Sequence, residues 1–165
     1  MNIIRKQAST NRKQVTDALE YLRLDEFFGP QIIRDMKSIK YFLRREIEPQ
    51  VPDIVNSASD ITDLFEQLRS FKLPHKYLIG EPQVKLMAAM CAEIARVDLS
   101  LATGFLVQVG LIGYTLKTYG SKWLKDKYLL KICNYELVGG WGLTEFAYGS
   151  NSTQIETQVV FQNGK

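Results

Sequence analysis

From Leu99 to Thr118 the chain is apolar on almost every side, and this stretch limits the folds open to it. Asp98 stands directly before it, a residue type that caps helices by accepting a backbone N–H of the first turn. A helix apolar nearly all round needs other helices against it, so the stretch predicts a bundle with this segment at its centre. Gln108 and several Gly and Thr residues interrupt the apolar run Leu99–Leu116, and no run is expected to span a membrane.

The preceding sequence supplies the partners. Val15, Ala18, Leu19 and Leu22 recur at helical spacing after the cap candidates Thr10 and Asn11. After Gly29-Pro30, a second face is made by Ile32, Met36, Ile39, Leu43 and Ile47, and Pro49 and Pro52 stop that helix. Asp60 is placed to cap a third helix with Ile61, Leu64, Phe65 and Leu68 inward. Leu73-Pro74 through Pro82 reads as a loop, and a helix from Gln83 to Val97 comes after it with Leu86, Met90 and Ile94 inward. Gly120-Ser121 ends the apolar helix. A basic helix then runs to about Asn134, with Lys122, Lys125 and Lys127 facing water.

Near Leu137 the period changes. Leu137–Leu143 is short, apolar and Gly-rich, the pattern of a buried strand, and Thr153–Phe161 alternates as a strand does. Asn163-Gly164 is a favoured hairpin turn. A hairpin alone is marginal in water, so the pattern predicts the opening of a β-domain that is cut short. The expected division is a basic segment 1–15, a helical domain 16–136, and a truncated β-domain start 137–165.

Several functions lack their residues. A net charge of +3 is too mild to imply a nucleic-acid partner. There is no phosphate loop, GxGxxG, CxxC or HExxH. His75 is expected to be an ordinary surface-loop histidine. Cys91 and Cys133 are expected to be reduced and buried, and the sequon Asn151-Ser152-Thr153 to be coincidental. Arg5, Lys6, Arg12 and Lys13, with no acid among the first sixteen residues, fit either a mitochondrial targeting remnant or an ordinary basic terminus. Localisation is therefore expected to be mitochondrial, with peroxisomal or cytoplasmic as alternatives.

Two stretches carry more than composition. One is Glu93-Ile94-Ala95-Arg96-Val97-Asp98 with Val107-Gln108 and Tyr119-Gly120-Ser121. The other is Lys127-Tyr128-Leu129, then Gly142-Leu143-Thr144-Glu145 and Gly149-Ser150. In this order and spacing they resemble the acyl-CoA dehydrogenase and oxidase family, most nearly its glutaryl-CoA dehydrogenase and short-chain peroxisomal oxidase branch. The resemblance implies a mainly α fold: a helical amino-terminal domain of about six helices, followed by the first strands of a β-domain. It implies FAD as cofactor and acyl-CoA as substrate. Trp141, Leu143 and Thr144 would contact the flavin. Gly149 and Ser150 would approach the FAD pyrophosphate, with Ser150 also reaching the CoA arm.

The resemblance also assigns the proton-abstracting carboxylate to a carboxy-terminal helix bundle that this chain does not contain. Glu145 is then a structural carboxylate of the flavin turn. Departures from the family pattern are Leu124, Leu130, Tyr135 (where Gly is usual), Phe146 (where Pro is usual), Ala147, Tyr148 and Asn151. Ala102 replaces the arginine that reads a distal carboxylate in glutaryl-specific members, which disfavours glutaryl-CoA. The implied activity is α,β-dehydrogenation of acyl-CoA, incomplete without the remainder of the enzyme or a protein partner. The alternatives are a structural or interaction subunit of a larger assembly, and a helical acyl-CoA binder whose Leu99–Leu116 lines an acyl pocket.

Overall fold

The computed structural model describes residues 26–53, 62–70, 72–80, 83–160 and 162. The predicted helix around Val15–Leu22, the Asp60 cap, Ile61, Phe161 and the Asn163-Gly164 turn lie outside them.

Helix α1, Pro30–Phe42, starts on a proline, whose missing N–H costs nothing in a first turn. It runs on through a π-helical turn, Leu43–Ile47, closed by Glu48 N–H donating to Leu43 O at 2.7 Å. Met36, Ile39, Leu43 and Ile47 are buried along one face, as their spacing predicts, while Ile32 is only half-buried. Helix α2, Thr62–Arg69, buries Leu64, Phe65 and Leu68.

Residues 73–78 correct an expectation. Leu73-Pro74 is not a loop but the start of helix α3, Leu73–Leu78. Pro74 sits in the first turn, where proline initiates a helix rather than breaking it. Lys72, left-handed at φ 51°, turns the chain into it. Helix α4, Val84–Val97, buries Leu86, Met90 and Ile94 as expected. It also buries Glu93, whose carboxylate meets Arg96 Nε at 3.3 Å.

Helix α5 is the apolar rod Leu99–Tyr119. Asp98 caps it, its carboxylate accepting Leu101 N–H at 2.7 Å. Leu101, Ala102, Phe105, Gln108 and Val109 face the core. Two glycines let neighbours reach its backbone. A Cβ on Gly104 would lie 2.3 Å from Phe65 Cζ, and one on Gly113 would lie 2.5 Å from Leu78 Cδ1.

The rod is not wrapped on all sides, however. Leu99, Leu106 and Leu111 are exposed along its outer face. By length and composition alone it is long and apolar enough to cross a bilayer, contrary to the sequence expectation, although its inner face is packed within the bundle. Helix α6 (122–133) begins at Ser121, whose hydroxyl accepts Leu124 N–H at 3.3 Å. Within it Lys122 and Lys127 are exposed but Lys125 is half-buried. Lys127 Nζ lies 4.5 Å from the Trp123 ring centre rather than projecting freely into water.

The described residues contain no strand. The pattern of Leu137–Leu143 predicts a buried strand, yet Leu137, Val138, Trp141 and Leu143 are exposed. Ser152–Gln154 is a single 3-10 turn, and 155–160 has no regular secondary structure. A strand is stable only against a partner strand. Here the N–H groups of Glu156 and Thr157 donate to the Glu145 carboxylate instead of to a ladder.

Candidate functional site

The site is built from the end of α6 outward. Tyr135 N–H donates to Ile132 O at 3.2 Å and Glu136 N–H to Lys131 O at 2.9 Å, the two bonds of a Schellman cap. The residue between them must be left-handed, which is why glycine usually fills it. Here it is Tyr135, at φ 53°. Its ring stacks on Phe65 at 5.4 Å between centres and is 8% exposed, so burial offsets the backbone strain. The hydroxyl has no partner. Burial pushes the phenol far above its ordinary range, and the nearby Cys91 and Cys133 thiols push it the same way.

The chain leaving this cap is caught by Gln108. Its Nε2 donates to Ile132 O at 3.1 Å and to Leu137 O at 2.6 Å, and its Oε1 accepts Gly139 N–H at 3.1 Å. The amide is 1% exposed. In the sequence Gln108 interrupts an apolar run and belongs to a family-like pair with Val107, neither of which assigns it a partner. Its solitude there is the signal that would have found this role, since a buried amide needs polar partners.

Beyond Gly139, Trp141 borders an apolar cleft of about 380 Å³ with Ile112, Thr115, Leu116, Tyr119 and Leu124. A tight turn comes next. Glu145 N–H donates to Tyr148 O at 3.0 Å and Tyr148 N–H returns to Glu145 O at 3.2 Å. Phe146 and Ala147 form the tip, and the Phe146 side chain is fully exposed. Thr144 and Gly149 flank the closed pair, with Ser150 next in line, and all three are exposed. Trp141 stands apart at the cleft.

Glu145 holds the returning chain. Its carboxylate accepts Glu156 N–H and Thr157 N–H, each at 2.8 Å, and also the Thr157 hydroxyl. Tyr148 OH donates to Glu156 Oε1 at 3.0 Å. The Glu156 N–H, then the Thr157 hydroxyl and N–H, hold the Glu145 carboxyl below its ordinary pKa. Glu145 is thus the structural carboxylate the sequence predicts.

The donor set suits a ligand edge that gathers negative charge. Among the described residues, Leu143 and Thr144 N–H donate to nothing, and neither does the hydroxyl of Thr144 or Ser150. A Cβ on Gly142 or Gly149 would meet nothing within 4 Å, so a ligand has room at both backbones.

Other titratable groups stand outside the site. His75 lies in α3, half-buried rather than in a surface loop; burial, then Lys72, lowers its pKa. Burial pushes the Cys133 thiol up to about 11. Cys91 is free but only half-buried, short of the burial expected, and burial raises its pKa too. Ala102 is buried on the core face of α5. No cluster among the described residues could hold a metal ion.

Comparison with known proteins locates this architecture. The family model for the acyl-CoA dehydrogenase N-terminal domain matches residues 31–136. The chain is 42% identical over 67 residues to a glutaryl-CoA dehydrogenase of Desulfococcus multivorans, covering 39% of this chain and 17% of that protein. It is 34% identical over 88 residues to the peroxisomal acyl-coenzyme A oxidase 2 of Arabidopsis thaliana, covering 53% of this chain and 12% of that protein. Among solved structures, a glutaryl-CoA dehydrogenase from Mycobacterium smegmatis in complex with FADH2 superimposes with a TM-score of 0.74 at 22% identity. That match covers 84% of this chain and 37% of the other, and it shows a shared fold.

Proposed function

This chain belongs to the acyl-CoA dehydrogenase family through its N-terminal helical domain, and on that footing we propose that it forms the helical wall and flavin turn of an FAD-dependent enzyme acting on acyl-CoA thioesters. The observation that carries the proposal is the exposed turn itself. It leaves the N–H groups of Leu143 and Thr144 and the Thr144 hydroxyl unspent beside an open Gly149.

When bound, the flavin of FAD supplies the hydride-accepting ring whose far edge becomes electron-rich. The Leu143 and Thr144 donors stabilise negative charge at that edge because they are already oriented and need not reorganise. Trp141, at the neighbouring cleft, would contact the ring once the rest of the pocket is supplied. Gly149 admits the pyrophosphate to the backbone, and Ser150 donates its hydroxyl there or to the CoA arm. Glu145 is not the base, since its carboxylate is committed to the chain at Glu156 and Thr157. In this reading the proton-abstracting carboxylate and the rest of the flavin pocket come from further polypeptide. Ala102 offers no guanidinium to a distal carboxylate, which disfavours glutaryl-CoA as the substrate.

A second reading has its own support. Phe146, Val159 and Val160 are exposed around a backbone with few internal bonds, a surface suited to pairing with another chain in a structural subunit. The basic residues before Gln14 suit a mitochondrial site, and the oxidase relative suits a peroxisomal one.

Isolating the protein from its source distinguishes the two. The flavin reading expects yellow fractions in which this chain travels with its complementary polypeptide, and loss of that absorbance in Thr144→Ala. A colourless complex of the same composition, unchanged by Thr144→Ala, would leave the structural reading.

A further inference from the structure

We infer that Gln108 is a positioning residue that sets where the segment Trp141–Thr144 stands on the helical domain; the functional part of this inference rests on the flavin reading of that segment. Three observations meet here. Gln108 is the buried amide of the most apolar helix, and all three of its hydrogen bonds leave that helix. A Leu or Met of similar volume would fill the space without the cost of burying an amide, so what Gln108 adds is those bonds. Their pattern also fixes which end is oxygen: two carbonyls face Nε2 and one N–H faces Oε1.

The second observation is Gly139. A Cβ there would lie 2.7 Å from Ile112 Cδ1, so glycine lets the outgoing chain lie against α5, its N–H reaching Oε1, without displacing the end of the Ile112 side chain. Ile112 also borders the cleft beside Trp141, so Gly139 and that cleft share a wall.

The third is the bonding of the segment beyond Gly139. Among the described residues, 140–160 form hydrogen bonds only with one another: Glu145 with Tyr148, Glu156 and Thr157; Tyr148 with Glu156; and Asn151 with Thr153 and Gln154. Gln108 therefore makes the last hydrogen bonds joining the helical domain to the turn. From Gly139 to Thr144 the extended chain spans at most about 17 Å, so a change of direction at Gly139 is carried directly to the donors.

The test uses the full chain in a Trp123→Phe background, which leaves Trp141 as the sole tryptophan. Gln108→Met is compared with Gln108→Glu, which keeps an acceptor for Gly139 but has no N–H for Ile132 and Leu137. The tether predicts that in Gln108→Met amide exchange at 139–144 rises about tenfold, with exchange across α4 unchanged. Trp141 emission should shift to the red, and Gln108→Glu should fall between parent and Met.

Equal acceleration everywhere, or none at 139–144, would overturn the tether. Should Gln108→Met fail to fold, the side-chain amide protons of Gln108 in the parent decide by NMR: protection supports the tether, and exchange at the free-amide rate ends it. None of these readouts involves flavin, so they stand apart from the flavin reading. Full flavin retention by the native assembly carrying Gln108→Met, despite faster exchange at 139–144, would leave the tether intact but overturn its positioning role.

Discussion

Helices α4 and α5 and the segment 140–160 are both rich in apolar side chains, yet only the helices bury a full face of theirs. Met90, Ile94, Leu101 and Phe105 are all fully buried. Trp141, Phe146, Val159 and Val160 are exposed. The difference lies in backbone bonding. A helix satisfies its N–H and C=O groups internally, so its side chains are free to pack on whatever lies beside it. An extended segment must find a partner for both. In 140–160 the partners are one carboxylate, one tight turn and a single 3-10 turn. The helical part therefore carries a core of its own, whereas the C-terminal part has local order without one.

The sharpest way to break this contrast is to strike the core. Phe105→Ala removes a fully buried ring from α5 and should cost about 3–5 kcal/mol, enough to unfold a marginal domain. Denaturant titration followed by far-UV circular dichroism would measure it. Phe146→Ala, at the exposed turn tip, should leave the midpoint unchanged. Equal losses from the two would mean that the turn packs against something the contrast denies.

Tyr135 marks the junction between the regions, and there two effects oppose. Tyr135→Gly relieves the left-handed strain, worth about 1–2 kcal/mol. It also removes a buried aromatic ring stacked on Phe65, worth about 3–5 kcal/mol. The ring should win, with a net destabilisation of about 2 kcal/mol. Tyr135→Phe keeps the ring and discards a buried hydroxyl that has no partner, so it should stabilise by about 1 kcal/mol. A loss of stability in Tyr135→Phe would show that the hydroxyl is bonded in solution.

The same contrast explains which features are legible in the sequence. Met36, Ile39, Leu43 and Ile47, or Leu86, Met90 and Ile94, announce their helices because spacing alone decides which face is buried. Asp98 announces its cap for the same local reason. Pro74 misleads because proline breaks a helix interior but begins a helix in its first turn, and the letter does not say which. The alternation in Thr153–Phe161 is genuine, but it states only that a strand would be amphipathic; a ladder needs a partner that alternation cannot supply. Gln108 and Tyr135 are visible as departures, an amide among apolar residues and a tyrosine where glycine is usual. Their roles needed coordinates, since both depend on residues 24 or more positions away.

A smaller effect should come from the cap. Asp98→Ala frees the Leu101 N–H at the start of α5 and should cost about 1 kcal/mol by denaturant titration, without altering exchange in 140–160. A matching change in that segment would mean that the two regions open as one unit.

The smallest global effect, and the sharpest local one, belongs to Glu145. Its carboxylate is the hub of the C-terminal segment, and its hydrogen bonds all stay within that segment. Glu145→Gln should leave the unfolding midpoint of the helices in place while accelerating amide exchange at Glu156 and Thr157. The pH dependence has a definite sign. The bonds hold the folded pKa below the ordinary carboxyl value, so the ionised form binds the returning chain more tightly than the protonated form. Local order is then complete above the ordinary carboxyl range and is lost as pH falls through the lowered value. Amide shifts of Glu156 and Thr157 should follow that titration in the parent and should be flat in Glu145→Gln. If the helical signal titrated in step with them, the C-terminal segment would share the core's stability after all, because a proton on an exposed carboxylate reaches the core only through structure that joins the two.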